Sequence, residues 1–134
     1  MKLTGGCHCG AIRYAIEGEP KHVALCHCGD CRKSAGAPMV SWAAFGENEL
    51  TVTQGEPAKF NSSGSAFRSF CGTCGSGLFY HNADFLPGIV DVQSATLDDP
   101  DALPPGQHIQ VAERLDWMET AHELPMCERF PGGD

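Results

Sequence analysis

Cys71-Gly72-Thr73-Cys74-Gly75 is the stretch on which the fold turns. A C-x-x-C closed by glycine bends tightly enough to aim two sulfurs at one point, and Gly75 can take the left-handed backbone such a knuckle needs. Two sulfurs do not complete a zinc site, because zinc takes four ligands in a tetrahedron. Cys7-His8-Cys9 offers the other two. Residues i and i+2 of an extended segment face the same side, so this C-x-C also presents a pair of sulfurs. The spacing therefore joins Cys7 and Cys9 to Cys71 and Cys74 in one closed zinc site. A metal there clips the N-terminal strand to the middle of the chain across 62 residues. Closing a loop of that length helps a small domain with a modest core.

A third cysteine group, Cys26-His27-Cys28-Gly29-Asp30-Cys31, supplies three sulfurs from six residues. Three protein ligands without an evident fourth is the pattern of a zinc that keeps one position open for chemistry. In an extended segment His27 points away from Cys26 and Cys28, and His8 lies likewise between Cys7 and Cys9. Each reads as a surface group or as a neighbour of the ligands rather than as a ligand. Cys127 stands alone and reads as a buried or partly exposed free thiol. Three other readings stay open: structural disulfides, a second structural zinc completed by His81 or Cys127, and a redox C-x-x-C.

The rest of the chain bounds these readings. With 134 residues, 42% hydrophobic and 19% charged, it reads as one globular domain spanning 1–134. The net charge of −8 argues against nucleic acid or an acidic membrane as a partner. No stretch approaches the roughly 20 apolar residues of a membrane span, and no apolar signal core precedes Cys7. A cytoplasmic location is the expectation, and in a reducing compartment clustered cysteines favour metal over disulfides. Short alternating stretches read as strands: 12–16, 38–45, 50–53, 67–70, 78–80, 89–92 and 109–111. Gly, Pro, Asn and Asp turns separate most of them. This is a mainly β chain of small antiparallel sheets clipped by zinc. Few short helical turns are expected, near 98–101 and 117–124. The tail 131–134 reads as frayed.

The cysteine groups also carry a resemblance. Gly6-Cys7-His8-Cys9-Gly10-Ala11-Ile12-Arg13-Tyr14, Cys26 to Pro38, Arg68 to Leu78, Thr96-Leu97-Asp98-Asp99-Pro100 and His108-Ile109 resemble, in order and spacing, the glutathione-dependent formaldehyde-activating enzyme family, which includes centromere protein V. The likeness runs over about 4–117, leaving 118–134 as an extension. It implies a tent-like fold, a structural zinc at Cys7, Cys9, Cys71 and Cys74, and a labile, catalytic zinc at Cys26, Cys28 and Cys31. It also implies carbon–sulfur lyase activity, the reversible formation of S-hydroxymethylglutathione from formaldehyde and glutathione. The partners would be a small thiol and an aldehyde.

Such chemistry suits a three-thiolate zinc. A free thiol is mostly protonated at neutral pH, and an open metal position lowers its pKa. Three thiolates against a dication leave the fourth ligand loosely held, so an incoming thiol can exchange. Glutathione carries two carboxylates, and Arg32, Lys33 and Arg68 are the candidate contacts for them. Trp42, Phe79, Tyr80 and Trp117 could wall a pocket, although aromatics in a small β-domain more often fill its core. Asp98 and Asp99 read as turn or cap residues, and His81 and His108 as unplaced proton carriers. Two alternatives to the lyase remain: a non-catalytic zinc-stabilised binding module, and a relative acting on another thiol or small electrophile. A third, a metal-buffering protein, fits a labile site.

Overall fold

The computed structural model describes residues 1–132 of the chain. Ten strands form two sheets. Strands β1 (Lys2–Gly6), β2 (Arg13–Glu17) and β5 (Leu50–Gln54) make the smaller one, in the order β1-β2-β5. The larger has seven strands. They are β3 (His22–Cys26), β4 (Val40–Gly46), β6 (Ala58–Ser63), β7 (Ala66–Phe70), β8 (Gly77–Asn82), β9 (Ile89–Gln93) and β10 (Gln107–Ile109), ordered β10-β3-β4-β9-β8-β7-β6. The expected mainly β, antiparallel architecture is what folds, with one exception: β10 runs parallel to β3. The chain reaches that position through a long crossover in which Pro100, Pro104 and Pro105 favour short 3-10 turns over a strand.

Alternation along the strands builds the core. Ile12, Tyr14 and Ile16 share one face of the small sheet and are buried, as their spacing predicts. They pack on Ala43, Phe45, Phe79, Val90 and Val92 of the large sheet, with Tyr14 edge-on to Phe79. Each large side chain so buried is worth about 1.5–3 kcal/mol. Strand β4 is apolar on both faces because it is central, between β3 and β9. Its other face carries Val40 and Trp42 into a second cluster with Cys26 and Cys31. The core therefore lies between the sheets, and the middle cysteine group lies on the opposite side of the large sheet.

Two features tie the small sheet to the chain that follows β9. The Tyr14 hydroxyl donates to Thr96 Oγ1 at 2.7 Å, and Thr96 in turn donates to the Gln93 carbonyl. Asp98 accepts from Thr4 Oγ1 at 2.7 Å and from Arg13 Nη1 at 2.9 Å. This ion pair holds the Asp98 carboxyl down to about 2. Asp99 caps the turn Pro100–Ala102, so this pair divides between a cap and a sheet-to-loop tie. Gly5 allows the close approach of Tyr14: a Cβ there would meet the Tyr14 hydroxyl and ring and the Thr96 carbonyl. Gly5→Ala is expected to lower stability by about 1–3 kcal/mol, the usual cost of overpacking a filled core. A urea titration reads this, and an unchanged midpoint would mean that Tyr14 swings aside freely.

One helix, α1 (Gly29–Ala35), was not legible in advance. It has seven residues, too few for a periodic pattern, and its N-cap is Cys28 rather than Ser, Thr, Asn or Asp. The Cys28 sulfur accepts from the Cys31 amide at 3.2 Å, and Gly36 ends the helix with φ 64°. The helical turn expected at 117–124 forms as a 3-10 segment, Asp116–Glu123, broken at Thr120. Of the expected frayed tail, Gly133 and Asp134 lie outside the described residues. No helix among the described residues is long and apolar enough to cross a membrane.

Candidate metal centre

The two knuckles are built alike. After β1 the chain turns through Cys7, and the Gly10 amide bonds back to the Cys7 carbonyl at 3.1 Å. After β7 it turns through Cys71, and the Gly75 amide bonds back to the Cys71 carbonyl at 2.8 Å. Both glycines sit at φ 81°, the left-handed conformation that lets each turn close. The amides of Ile12, Thr73 and Cys74 point at the Cys7 and Cys71 sulfurs from 3.2, 3.4 and 3.5 Å. All four sulfurs lie within 4.8 Å of one another. The Cys7–Cys9 and Cys9–Cys71 separations are 3.7 and 3.8 Å. A tetrahedron with Zn–S near 2.3 Å has edges of about 3.8 Å, so the donor set fits zinc. Hydrogen bonds from the Ser76 hydroxyl and backbone hold the Cys74 thiol down to about 5. All eight cysteines are free thiols, so no disulfide competes.

The middle cluster keeps the extended path expected through Cys26 and Cys28 and adds a helix that carries Cys31. Cys26 ends β3, Cys28 caps α1 and Cys31 lies in its first turn. Cys28 and Cys31 thus meet as the N-cap and the third residue of α1. The three sulfurs lie within 4.8 Å of one another, and Cys26 and Cys31 stand 3.7 Å apart, again the edge of a zinc tetrahedron. Without a cation they share protons. The hydrogen bond between Cys31 and Cys26 lowers the Cys26 thiol and raises the Cys31 thiol. A dication can replace those protons. Neither His81 nor Cys127 completes this group. His81 lies on β8 with Glu47 4.0 Å away, and Cys127 is exposed. No fourth His, Cys, Asp or Glu joins the three among the described residues.

Of the two readings of His27, a surface group or a neighbour of the ligands, the structure overturns the first. It is fully buried, its amide donates to the Ile109 carbonyl, and its Nε2 meets His108 Nδ1 at 2.9 Å. Burial, with the charges of His108 and Arg114, lowers its pKa. The parallel pairing of β10 with β3 brings His108 there, a long-range placement that spacing could not supply. His8 is exposed and anchors its amide on Ser76 Oγ.

A cavity of about 560 Å³ opens beside Cys31. Trp42, Phe60, Phe70 and Phe79 supply aromatic lining, and Asp30, Lys33 and Arg68 the charges. Arg68 is buried yet charged: Nη2 donates to Asp30 at 2.9 Å and to the Cys31 sulfur at 3.6 Å, and the guanidinium lies 4.9 Å from the Tyr80 ring centroid. Its Nε has no hydrogen-bond partner. Arg32 turns elsewhere, donating to the carbonyls of His27 and Glu113. Of the aromatic candidates, Trp42 and Phe79 line the cavity. Tyr80 packs on Trp42 at 6.0 Å between centroids, and Trp117 is exposed and not among the lining residues. Phe60 was missed because β6 has no clear alternation and the cross-strand register that sets it opposite Arg68 is invisible in a single strand; Phe70, at the end of β7, read only as part of a strand.

Fold and site define a β-domain with one four-sulfur and one three-sulfur group able to hold metal, the latter beside a cavity. Residues 2–113 match the family described as glutathione-dependent formaldehyde-activating enzyme, and the chain belongs to that family. It is 28% identical over 139 residues to a protein of Halomonas elongata provisionally named as such an enzyme, covering 95% of this chain and 87% of the relative. A Schizosaccharomyces pombe protein named an uncharacterized lyase is 36% identical over 80 residues, 59% of this chain and 57% of that one. The crystal structure of a Rhodobacter sphaeroides protein superposes with a TM-score of 0.64 at 24% identity, covering 79% of this chain and 99% of the other, a likeness of fold alone.

Proposed function

We propose that this protein catalyses reversible carbon–sulfur bond formation between a small thiol, glutathione by family, and an aldehyde such as formaldehyde. Two zinc ions would be held, one at Cys7, Cys9, Cys71 and Cys74 and one at Cys26, Cys28 and Cys31. The observation that carries the reading is the three-sulfur group, which lacks a fourth protein ligand among the described residues and shares Cys31 with a cavity wall. When bound there, zinc supplies an open position that lowers the pKa of an incoming thiol. The thiol gives up its proton, its sulfur lone pair forms the bond to the carbonyl carbon, and the carbonyl π pair moves to oxygen, which takes up a proton. Nothing is oxidised or reduced.

The chain's own residues orient this chemistry. Arg68, fixed by Asp30, places positive charge beside the Cys31 sulfur. Lys33, on the exposed side of α1, offers a contact for a carboxylate of the thiol. The apolar walls keep water away from the carbonyl carbon. Arg32, engaged by two backbone carbonyls, is left to hold α1 against 111–113 rather than to bind an anion.

Native mass spectrometry of freshly reduced protein tests this reading alongside exchange NMR of formaldehyde with glutathione. Two zincs per chain, one released or joined by glutathione on titration, and accelerated exchange are the expected results. Two zincs indifferent to glutathione, with exchange no faster than in buffer, would make the domain a non-catalytic binding module.

A further inference from the structure

The cavity is poorly matched to the smallest form of the proposed reaction. At about 560 Å³ it lies in the range that encloses a ligand of drug size. Four of its lining residues are aromatic, and formaldehyde has no apolar group to set against them. Nor does glutathione answer the charges fully. Arg68 is neutralised by Asp30 at 2.9 Å, and Lys33 is the lining cation without an acidic partner within ion-pair distance among the described residues. One carboxylate is thus matched, while the aromatic surface is not used.

The register shows how that surface is arranged. Phe60 on β6 lies opposite Arg68 on β7, which lies opposite Tyr80 on β8. Side chains directly opposite in a sheet share a face, so Arg68 stands between two aromatics on the side where the three-sulfur group sits. Phe60 is 59% exposed on the edge strand of the seven-stranded sheet, at the cavity rim, while Trp42 is only 5% exposed. A large apolar side chain left open beside a built cavity whose lining also includes Cys31 is the arrangement of a wall awaiting an apolar ligand.

We propose that the aldehyde partner carries an aromatic or similarly bulky apolar group, that this group docks among Trp42, Phe60 and Phe70, and that Phe60 determines the preference. The proposal rests on the thiol–aldehyde reading above. The step keeps the same balance: the sulfur pair forms the carbon–sulfur bond, the carbonyl π pair goes to oxygen, and a proton moves from thiol to oxygen. The product is a thiohemiacetal bearing the apolar group.

Stable thioethers test the cavity apart from turnover, because S-benzylglutathione mimics the aromatic adduct and S-methylglutathione the formaldehyde adduct. Calorimetry on the zinc-loaded protein should show S-benzylglutathione binding about tenfold tighter or more, the scale on which apolar pockets discriminate. Phe60→Ala, at an exposed position that tolerates truncation, should bring the ratio to within about twofold. In parallel, exchange NMR should show the protein accelerating the exchange of benzaldehyde with glutathione over its rate in buffer by a larger factor than that of formaldehyde with glutathione. Equal affinities together with formaldehyde exchange overturn the aromatic assignment and leave the thiol–aldehyde reading standing. A benzyl preference with no exchange of either aldehyde overturns both.

Discussion

Cys71→Ala is expected to abolish the cooperative thermal unfolding transition. Cys71 is 1% exposed, lies in the core cluster between the sheets and is one of four sulfurs that join the two knuckles. Metal binding at structural zinc sites contributes on the order of 10–16 kcal/mol in small domains. The whole stability of a domain this size is about 5–15 kcal/mol. Removing one ligand therefore costs more than the remaining core can supply. Near-ultraviolet circular dichroism during a melt reads the loss, and a strong chelator should reproduce it in the wild type. Cys127→Ala, at an exposed thiol in neither cluster, is the matched control and should melt normally. A Cys71→Ala protein that melts within a few degrees of the wild type would mean that the knuckles hold no metal.

Cys31→Ser should behave in the opposite way: the domain stays folded and loses its chemistry. Cys31 belongs to the cluster outside the main core, on a seven-residue helix, so less depends on it structurally. A serine hydroxyl is a poor zinc ligand at neutral pH and also removes the sulfur to which Arg68 donates. Thiol–aldehyde exchange should fall on the order of a hundredfold or more, beyond the loss typical of groups that merely support a ligand. Zinc per chain should drop from two to one with the melt retained. Unfolding of Cys31→Ser would dissolve the division between a structural and a catalytic site.

The glycine-closed C-x-x-C and the core face of β2, with its alternation at Ile12, Tyr14 and Ile16, were legible because both depend on local sequence; Cys7 and Cys9 do converge, but in a turn after β1 rather than at i and i+2 of an extended segment. Helix α1 was not legible, since its cap is a sulfur and its length is two turns. The same gap hid the true geometry of Cys28 and Cys31. The meeting of His27 with His108 and of Phe60 with Arg68 depends on pairings between strands far apart in sequence. Arg32, Lys33 and Arg68 share one candidate role in the sequence, while their surroundings give them three different tasks: bracing backbone, facing the cavity, and pairing with Asp30 beside a sulfur.

Helix α1 belongs to two structures at once. Cys28 and Cys31 are its cap and first turn, and Asp30, Lys33 and Ser34 from the same seven residues form part of the cavity wall. Whatever draws the three sulfurs together therefore also sets the wall, and whatever fills the cavity also holds the sulfurs in place. By thermodynamic reciprocity, a cavity ligand that tightens cation binding by some factor is itself bound more tightly by that same factor when the cation is present. The cation affinity of this domain is in that sense a gauge of how much ligand surrounds it.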